Sequence, residues 1–295
     1  MSSPIRPLIA AALVAGLAIA APAAPVPVEP AAQQFRLGAL QLFALRDELN
    51  VLPNDGKVFG KDVGPAPVAA ALARASAPAD HITLGVDALL VRGNGRTVLI
   101  DTGLGPKVGG VLMASLAQAG VAPDAVTDVL ITHSHGDHTG GLLTAAGALA
   151  FPNATVRMAA AEWAWLRAKP DNAALAAAIA PRLVTFAGAG EVVPGITAVP
   201  LPGHTPSHTA YRIASGPHQL LDIGDTAHSA ILSLADPAWL IGYDTDGAEG
   251  RARREATLAK LAADRTRIFA PHFPFPGVGT VVKAGTGYRW QPGLP

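Results

Sequence analysis

The sequence predicts an α/β fold in which mixed β-sheets are covered by helices. Three observations predict it: β-rich apolar runs alternate with helical stretches, several runs meet at hairpin turns, and half of the 295 residues are hydrophobic while only 15% are charged. After a proline-rich leader, Phe35 to Leu45 reads as a strand and Pro67 to Ala75 as a helix with proline in its first turn. His81 to Val91 is the next strand, and Asn94-Gly95 marks a tight turn into Arg96 to Ile100, which ends at Asp101-Thr102-Gly103. Val111 to Gln118 is helical, and Val126 to Thr132 is a β-rich run that stops in a polar cluster. Thr155 to Met158 reads as a strand, Ala160 to Ala168 and Ala173 to Ile179 as helices, and Val192 to Leu201 as a strand. Thr209 to Ile223 forms a hairpin around Ser215-Gly216-Pro217, Glu249 to Asp264 a helix, and Arg267 to Ala270 a short strand before another polar cluster. Without an internal repeat or a domain-scale linker, residues 24–295 are expected to form one domain.

Residues 1–23 carry a different signal. Arg6 precedes an apolar run from Leu8 to Ala20, followed by small residues and prolines, the pattern of a secretory signal peptide cleaved after Ala20 or Ala23. The run is short of the roughly 20 apolar residues that span a bilayer, so no stable membrane insertion is expected after cleavage. The mature protein is expected in the periplasm or secreted. Lys+Arg 22 balance Asp+Glu 22 with no basic run, which argues against nucleic acid as a partner and favours a small molecule. Zero cysteines exclude disulfides, thiolate nucleophiles and Cys-ligated metals.

The chemistry concentrates at Thr132-His133-Ser134-His135-Gly136-Asp137-His138-Thr139-Gly140-Gly141. In extended backbone, residues two apart point the same way, so His133 and His135 can meet one ion. Asp137 and His138 follow at a turn that can aim them at a second ion. Imidazole and carboxylate suit zinc, manganese, cobalt or iron. A lone histidine is usually a satisfied core or surface residue, but three with an aspartate inside six positions, shielded from water, would be costly without a cation. Three further strand ends bear His or Asp: His204 and His208 after Leu201, Asp225 after Asp222, and His272 after Ala270.

These residues resemble those of the metallo-β-lactamase-fold hydrolases, whose hallmark is HxHxDH followed by distant His, Asp and His ligands. The resemblance runs from about Phe35 to the C-terminus. It implies two facing mixed sheets with helices outside, an αβ/βα four-layer sandwich. It implies that His133, His135 and His204 hold one divalent ion, that Asp137, His138 and His272 hold another, and that Asp225 bridges both, with Asp137 and Asp225 serving catalysis. Zinc is the default metal, with Mn²⁺, Co²⁺ or Fe²⁺ as alternatives. A homodimer is implied by resemblance alone. Segments such as Phe151-Pro152-Asn153-Ala154 and Gly287-Tyr288-Arg289 look like those of methyl parathion hydrolase and its relatives, in which aromatic side chains line a leaving-group pocket, and Trp165 is similar to one of these.

Two divalent ions sharing a water lower its pKa toward neutrality, so a bridging hydroxide is the expected nucleophile. The expected function is hydrolysis of a small ester, lactone or phosphotriester with a good leaving group or ring strain. Acyl-homoserine lactonase is the nearest alternative. Lactonases of that family place a tyrosine near the metals, whereas Tyr211, Tyr243 and Tyr288 match no such motif. A true β-lactamase is disfavoured by Asp225 and by the absence of cysteine, and a non-catalytic metal-binding protein by the intact ligand set. Asp101 is expected to support the metal loops, His208 to bond within its own loop, and His81 and His218 to lie at the surface or in strands. His228, three residues after Asp225, is within reach of the pocket but receives no ligand role.

Overall fold

The computed structural model describes residues 24–295. The signal-peptide reading, with its cleavage positions, falls on residues 1–23 and lies outside the described residues. Among the described residues, fifteen strands form two sheets. The first holds β1 (Ala24–Val26), β2 (Ala32–Leu37), β3 (Leu40–Pro53), β4 (His81–Gly93), β5 (Arg96–Ile100), β6 (Asp128–Leu130), β7 (Thr155–Ala159) and β8 (Leu183–Phe186). Both β1 and β2 pair with successive stretches of β3, the ladder runs antiparallel through β5, and β5 to β8 are parallel. The second holds β9 (Gly190–Val193), β10 (Ile196–Pro200), β11 (Thr209–Ser215), β12 (His218–Asp222), β13 (Arg267–Phe269), β14 (Val278–Ala284) and β15 (Gly287–Pro292), antiparallel except where β12 meets β13. The helices are α1 (Pro65–Arg74), α2 (Leu112–Gln118), α3 (Gly136–Thr139), α4 (Ala160–Arg167), α5 (Ala173–Ile179), α6 (Leu232–Ala235) and α7 (Gly247–Asp264). Among the described residues no helix is long and apolar enough to cross a membrane.

Strand alternation explains the layers. Leu42, Ala44, Leu89, Val91, Val98 and Ile100 face the second sheet and meet Ile196, Ala198, Tyr211, Ile213 and Phe269. Their neighbours Phe43, Leu45, Ala88, Leu90 and Leu99 face the other way, against Leu112 and Leu116 of α2, Leu166 of α4 and Ile179 of α5. On the far side, Leu258 and Leu261 of α7 cover Ile268 and Val281. The result is the expected αβ/βα sandwich of two mixed sheets between helical layers. α7 is capped by Asp246, whose side chain accepts from Ala248 N and Glu249 N at 3.0 Å each, and buries a stripe at Gly250, Arg254, Leu258 and Leu261.

The predicted Asn94-Gly95 hairpin is present, with both residues at positive φ (52° and 72°). Two predicted strands are each two. The apolar run Phe35 to Leu45 turns at Gly38 (φ 57°) to give β2 and β3, and Val192 to Leu201 turns at Gly195 (φ 82°) to give β9 and β10. In both cases one glycine in left-handed backbone makes the turn inside a run whose hydrophobicity hardly falters. The β3–β4 register shifts between Arg46 and Glu48. This bulge aims Asp47 at the loop after β5, where it accepts from Leu104 N (2.7 Å) and Leu112 N (2.8 Å).

Candidate metal centre

Four chain segments that follow strands converge at one end of the sandwich. β6 runs into Thr132–His135 and α3, β10 into the His204 loop, β12 into a turn at Gly224–Thr226, and β13 into His272. Small residues allow the crowding: a Cβ on Gly141 would overlap the Thr102 carbonyl, and one on Gly224 (φ 47°) would meet His208 Nε2 at 2.5 Å.

The ring nitrogens of His133, His135 and His204 form a triangle with sides of 3.1, 2.9 and 3.1 Å. Asp225 Oδ2 lies 3.6 Å from His133 Nε2 and 3.2 Å from His204 Nε2. Its other oxygen, Oδ1, lies 3.2 Å from His138 Nε2 and 3.1 Å from His272 Nε2, and Asp137 Oδ2 stands 3.7 and 3.6 Å from the same two nitrogens. All seven residues singled out from the sequence are therefore brought together in two groups, one of His133, His135, His204 and Asp225, the other of Asp137, His138 and His272.

The outer nitrogens decide what the inner ones offer. His204 Nδ1 donates to Asp244 Oδ1 (3.1 Å), His138 Nδ1 to Asp101 Oδ2 (2.7 Å) and His272 Nδ1 to the Gly85 carbonyl (2.6 Å). Thr132 Oγ donates to Asp101 Oδ2 (2.7 Å), which leaves it to accept from His133 Nδ1 (3.1 Å). With those protons on the outside, the inner nitrogens of His133 and His204 face each other as lone pairs, and those of His138 and His272 face carboxylate oxygens. His138 Nε2 and Asp225 Oδ1 are buried without a hydrogen-bond partner. Lone pairs packed at these distances suit a cation between them, and ligands of one tetrahedral zinc would stand about 3.3 Å apart for Zn–N of 2.0–2.1 Å. The donor set fits two divalent ions.

The electrostatics point the same way. Burial alone would raise the Asp225 carboxyl, but His272, His138 and His133 hold it well below the usual range. Burial would lower His272, yet Asp225 and Asp137 raise it to about 9, and His138 is raised by the same carboxylates and Asp101. The site has more negative charge around these rings than neutral imidazoles can balance.

A cavity of about 600 Å³ opens over both groups, its walls including Asn50, Leu84, Leu104, His228 and Tyr243. His228 is a residue that sequence reasoning left without a role: it is buried, its Nε2 is 3.1 Å from Asp225 Oδ2, and its ring stacks on His272 at 5.5 Å and 5°. Tyr243, 5.8 Å from His228 between ring centroids, stands at the same cavity. Burial and the charges of Asp137 and Asp225 push its hydroxyl up to about 12. Asp101 lies beneath His138 and Thr132 as expected. His208 bonds Leu201 O in its own loop (3.1 Å) and in addition accepts from Asp225 N (2.9 Å). His81 pairs with Asp80 at the start of β4, His218 is exposed, and Trp165 sets its ring 5.6 Å from that of His135.

Residues 82–272 match the model of the metallo-β-lactamase superfamily. The chain belongs to this superfamily. Two solved structures of it share more than a quarter of their residues with this chain. AidC, described as a dizinc quorum-quenching lactonase in complex with a product, is 28% identical with a TM-score of 0.83, covering 90% of this chain and 98% of that one. AbOPH, described as a hydrolase in the β-lactamase superfamily, is 29% identical with a TM-score of 0.81 over the same shares. A probable metal-dependent hydrolase from Staphylococcus aureus, 22% identical with a TM-score of 0.71, shares the fold. Among curated proteins, the mouse metallo-β-lactamase domain-containing protein 1 is 53% identical over 45 residues, a match spanning 15% of this chain and 17% of that protein. This superfamily member is a metal-dependent hydrolase.

Proposed function

We propose that the chain is a dinuclear-metal hydrolase that opens acyl lactones, acyl-homoserine lactones foremost, and cleaves related small esters. The observation that carries the reading is Asp225, whose two oxygens each face a different ligand group. In this reading His133, His135 and His204 would hold one ion, Asp137, His138 and His272 the other, and Asp225 would serve both. Two divalent ions, zinc by default, supply Lewis acidity for a substrate oxygen and for a water at neutral pH. Asp225 sets the spacing of the two groups, and His208 Nε2 holds it by accepting from the Asp225 backbone N–H. The Tyr243 hydroxyl, kept protonated at neutral pH, donates a hydrogen bond to the carbonyl or leaving oxygen. Leu84 and Leu104 give an acyl chain an apolar wall. The similarity to AidC and the position of Tyr243 favour a lactone.

A second reading, hydrolysis of a phosphotriester or aryl ester as in methyl parathion hydrolase relatives, draws on Trp165 beside His135. The proposal extends to a homodimer secreted to the periplasm, on the strength of resemblance and of the leader from Arg6 to Ala20. The test is to strip the mature protein with chelator, restore zinc, manganese, cobalt or iron, and assay an acyl lactone, an aryl ester and a phosphotriester side by side. Metal-dependent turnover with the lactone preferred is expected, and preference for the phosphotriester would select the second reading. Binding of about two ions per chain without turnover of any substrate would overturn both.

A further inference from the structure

The superfamily ligands do not explain Glu162. It sits in the first turn of α4 and is fully buried at 0% exposure. One oxygen accepts from Ser134 N (2.8 Å) and Ser134 Oγ (2.7 Å), and the other accepts from Thr205 Oγ (2.8 Å). Ser134 stands between His133 and His135, and Thr205 immediately follows His204. A single carboxylate thus ties together the two loops that carry the three-histidine group. Trp165, on the same helix, lies against the third ring of that triangle, His135.

Charge balance gives this tie a use beyond folding. The group of Asp137, His138 and His272 has a carboxylate of its own, shares Asp225, and rests on Asp101. The three-histidine group has only its share of Asp225. Behind it Glu162 accepts hydrogen bonds only from amide and hydroxyl donors, with Lys169 as a charged neighbour. Behind His204 the carboxylate of Asp244 is already neutralised by the buried Arg254 (3.3 Å). Glu162 is a further carboxylate placed directly behind those imidazoles and joined to both of their loops.

We propose that Glu162 is a positioning residue that sets the register of the His133–His135 and His204 loops and thereby the affinity of their site for a divalent ion, without touching substrate. The inference rests on the ligand assignment proposed above. It is tested by titrating metal-free wild type, E162Q, T205V and the double variant with Co²⁺ against a competing chelator, following the visible absorption. H133A and H272A assign the bands to the two groups. The expected result is that E162Q keeps wild-type affinity at the H272A-sensitive site and binds the H133A-sensitive ion about 10- to 100-fold more weakly. T205V, which severs only the His204 link, shows a smaller loss at the same site, and the double variant is no weaker than E162Q. If E162Q does not fold, T205V alone carries the test. Wild-type affinity at both sites in E162Q, or in T205V when it stands alone, or equal losses at both, would overturn the inference. Wild-type protein that takes up no Co²⁺ would overturn the metal-site reading itself, and this inference with it.

Discussion

Stripping the ions and raising the pH should destabilise the protein. In the folded metal-free chain His272 is raised from 6.5 to about 9 by Asp225 and Asp137, against the lowering effect of burial. A group raised on folding contributes stability that is fully present below its unfolded pKa and is lost as the pH climbs through its folded one. The window is therefore pH 6.5 to 9. At 1.36 kcal/mol per pH unit, His272 alone accounts for about 3 kcal/mol, and His138, raised in the same direction, adds to the trend. Asp225 and Asp137, held low, are ionised in both states throughout this window, whereas His133, His135, His208 and His228, held low first by burial, are neutral when folded and half protonated at pH 6.5 when unfolded, so each offsets the effect by only about 0.4 kcal/mol. For a chain of this size about 3 kcal/mol corresponds to a fall of roughly 6–12 °C in melting temperature. The assay is tryptophan-fluorescence melting of chelator-treated protein at pH 6.5 and pH 9, with a zinc-loaded sample alongside. The loaded sample should escape the loss, because deprotonated imidazoles are what the metal binds and apparent metal affinity rises with pH. Stripped protein that melts at the same or a higher temperature at pH 9 would refute the electrostatic account of the site.

Other perturbations follow from single contacts. Asp225→Asn removes the carboxylate shared by both groups, so elemental analysis should find fewer ions per chain than in wild type, and kcat/KM should fall at least about 100-fold. Tyr243→Phe should leave metal content unchanged and lower kcat/KM for a lactone about 10- to 100-fold, the worth of one hydrogen bond to a charged oxygen; unchanged turnover would remove the hydroxyl from the mechanism. Arg254→Met leaves Asp244 buried without its cation and orphans the carbonyls of Pro237 and Trp239, which Arg254 bonds at 2.9 and 2.7 Å. Urea unfolding should show a loss of about 3–5 kcal/mol, and a loss below about 1 kcal/mol would mean the pair is not desolvated in solution.

Legibility in the sequence follows the range of the interactions. His133, His135, Asp137 and His138 were readable because one strand end and the turn after it must supply four donors within six positions, and local backbone geometry alone confines them. His204, Asp225 and His272 announced themselves more weakly, each as a polar residue breaking an apolar run at a strand end. The strands were legible wherever a polar break closed them. They were merged at Gly38 and Gly195, where left-handed backbone turns the chain without a change in hydrophobicity, and β8, β14 and β15 escaped notice for want of a strong pattern.

The supports of the site had no such local signature. Asp244 reaches His204 across 40 positions, Glu162 reaches Thr205 across 43, and Tyr211 donates to the Ile131 carbonyl across 80. None of these carboxylates or hydroxyls differs in sequence from one that faces water. The clustered donors can be read because holding an ion needs several donors close together, and the helices and loops brought to them by the fold need only one donor each. Tyr243 and His228 belong to that second kind. They reach the cavity from the stretch between Asp225 and α7, in which no strand is present to mark a direction, so the side chains that line the cavity away from the clustered donors are the ones the sequence discloses least.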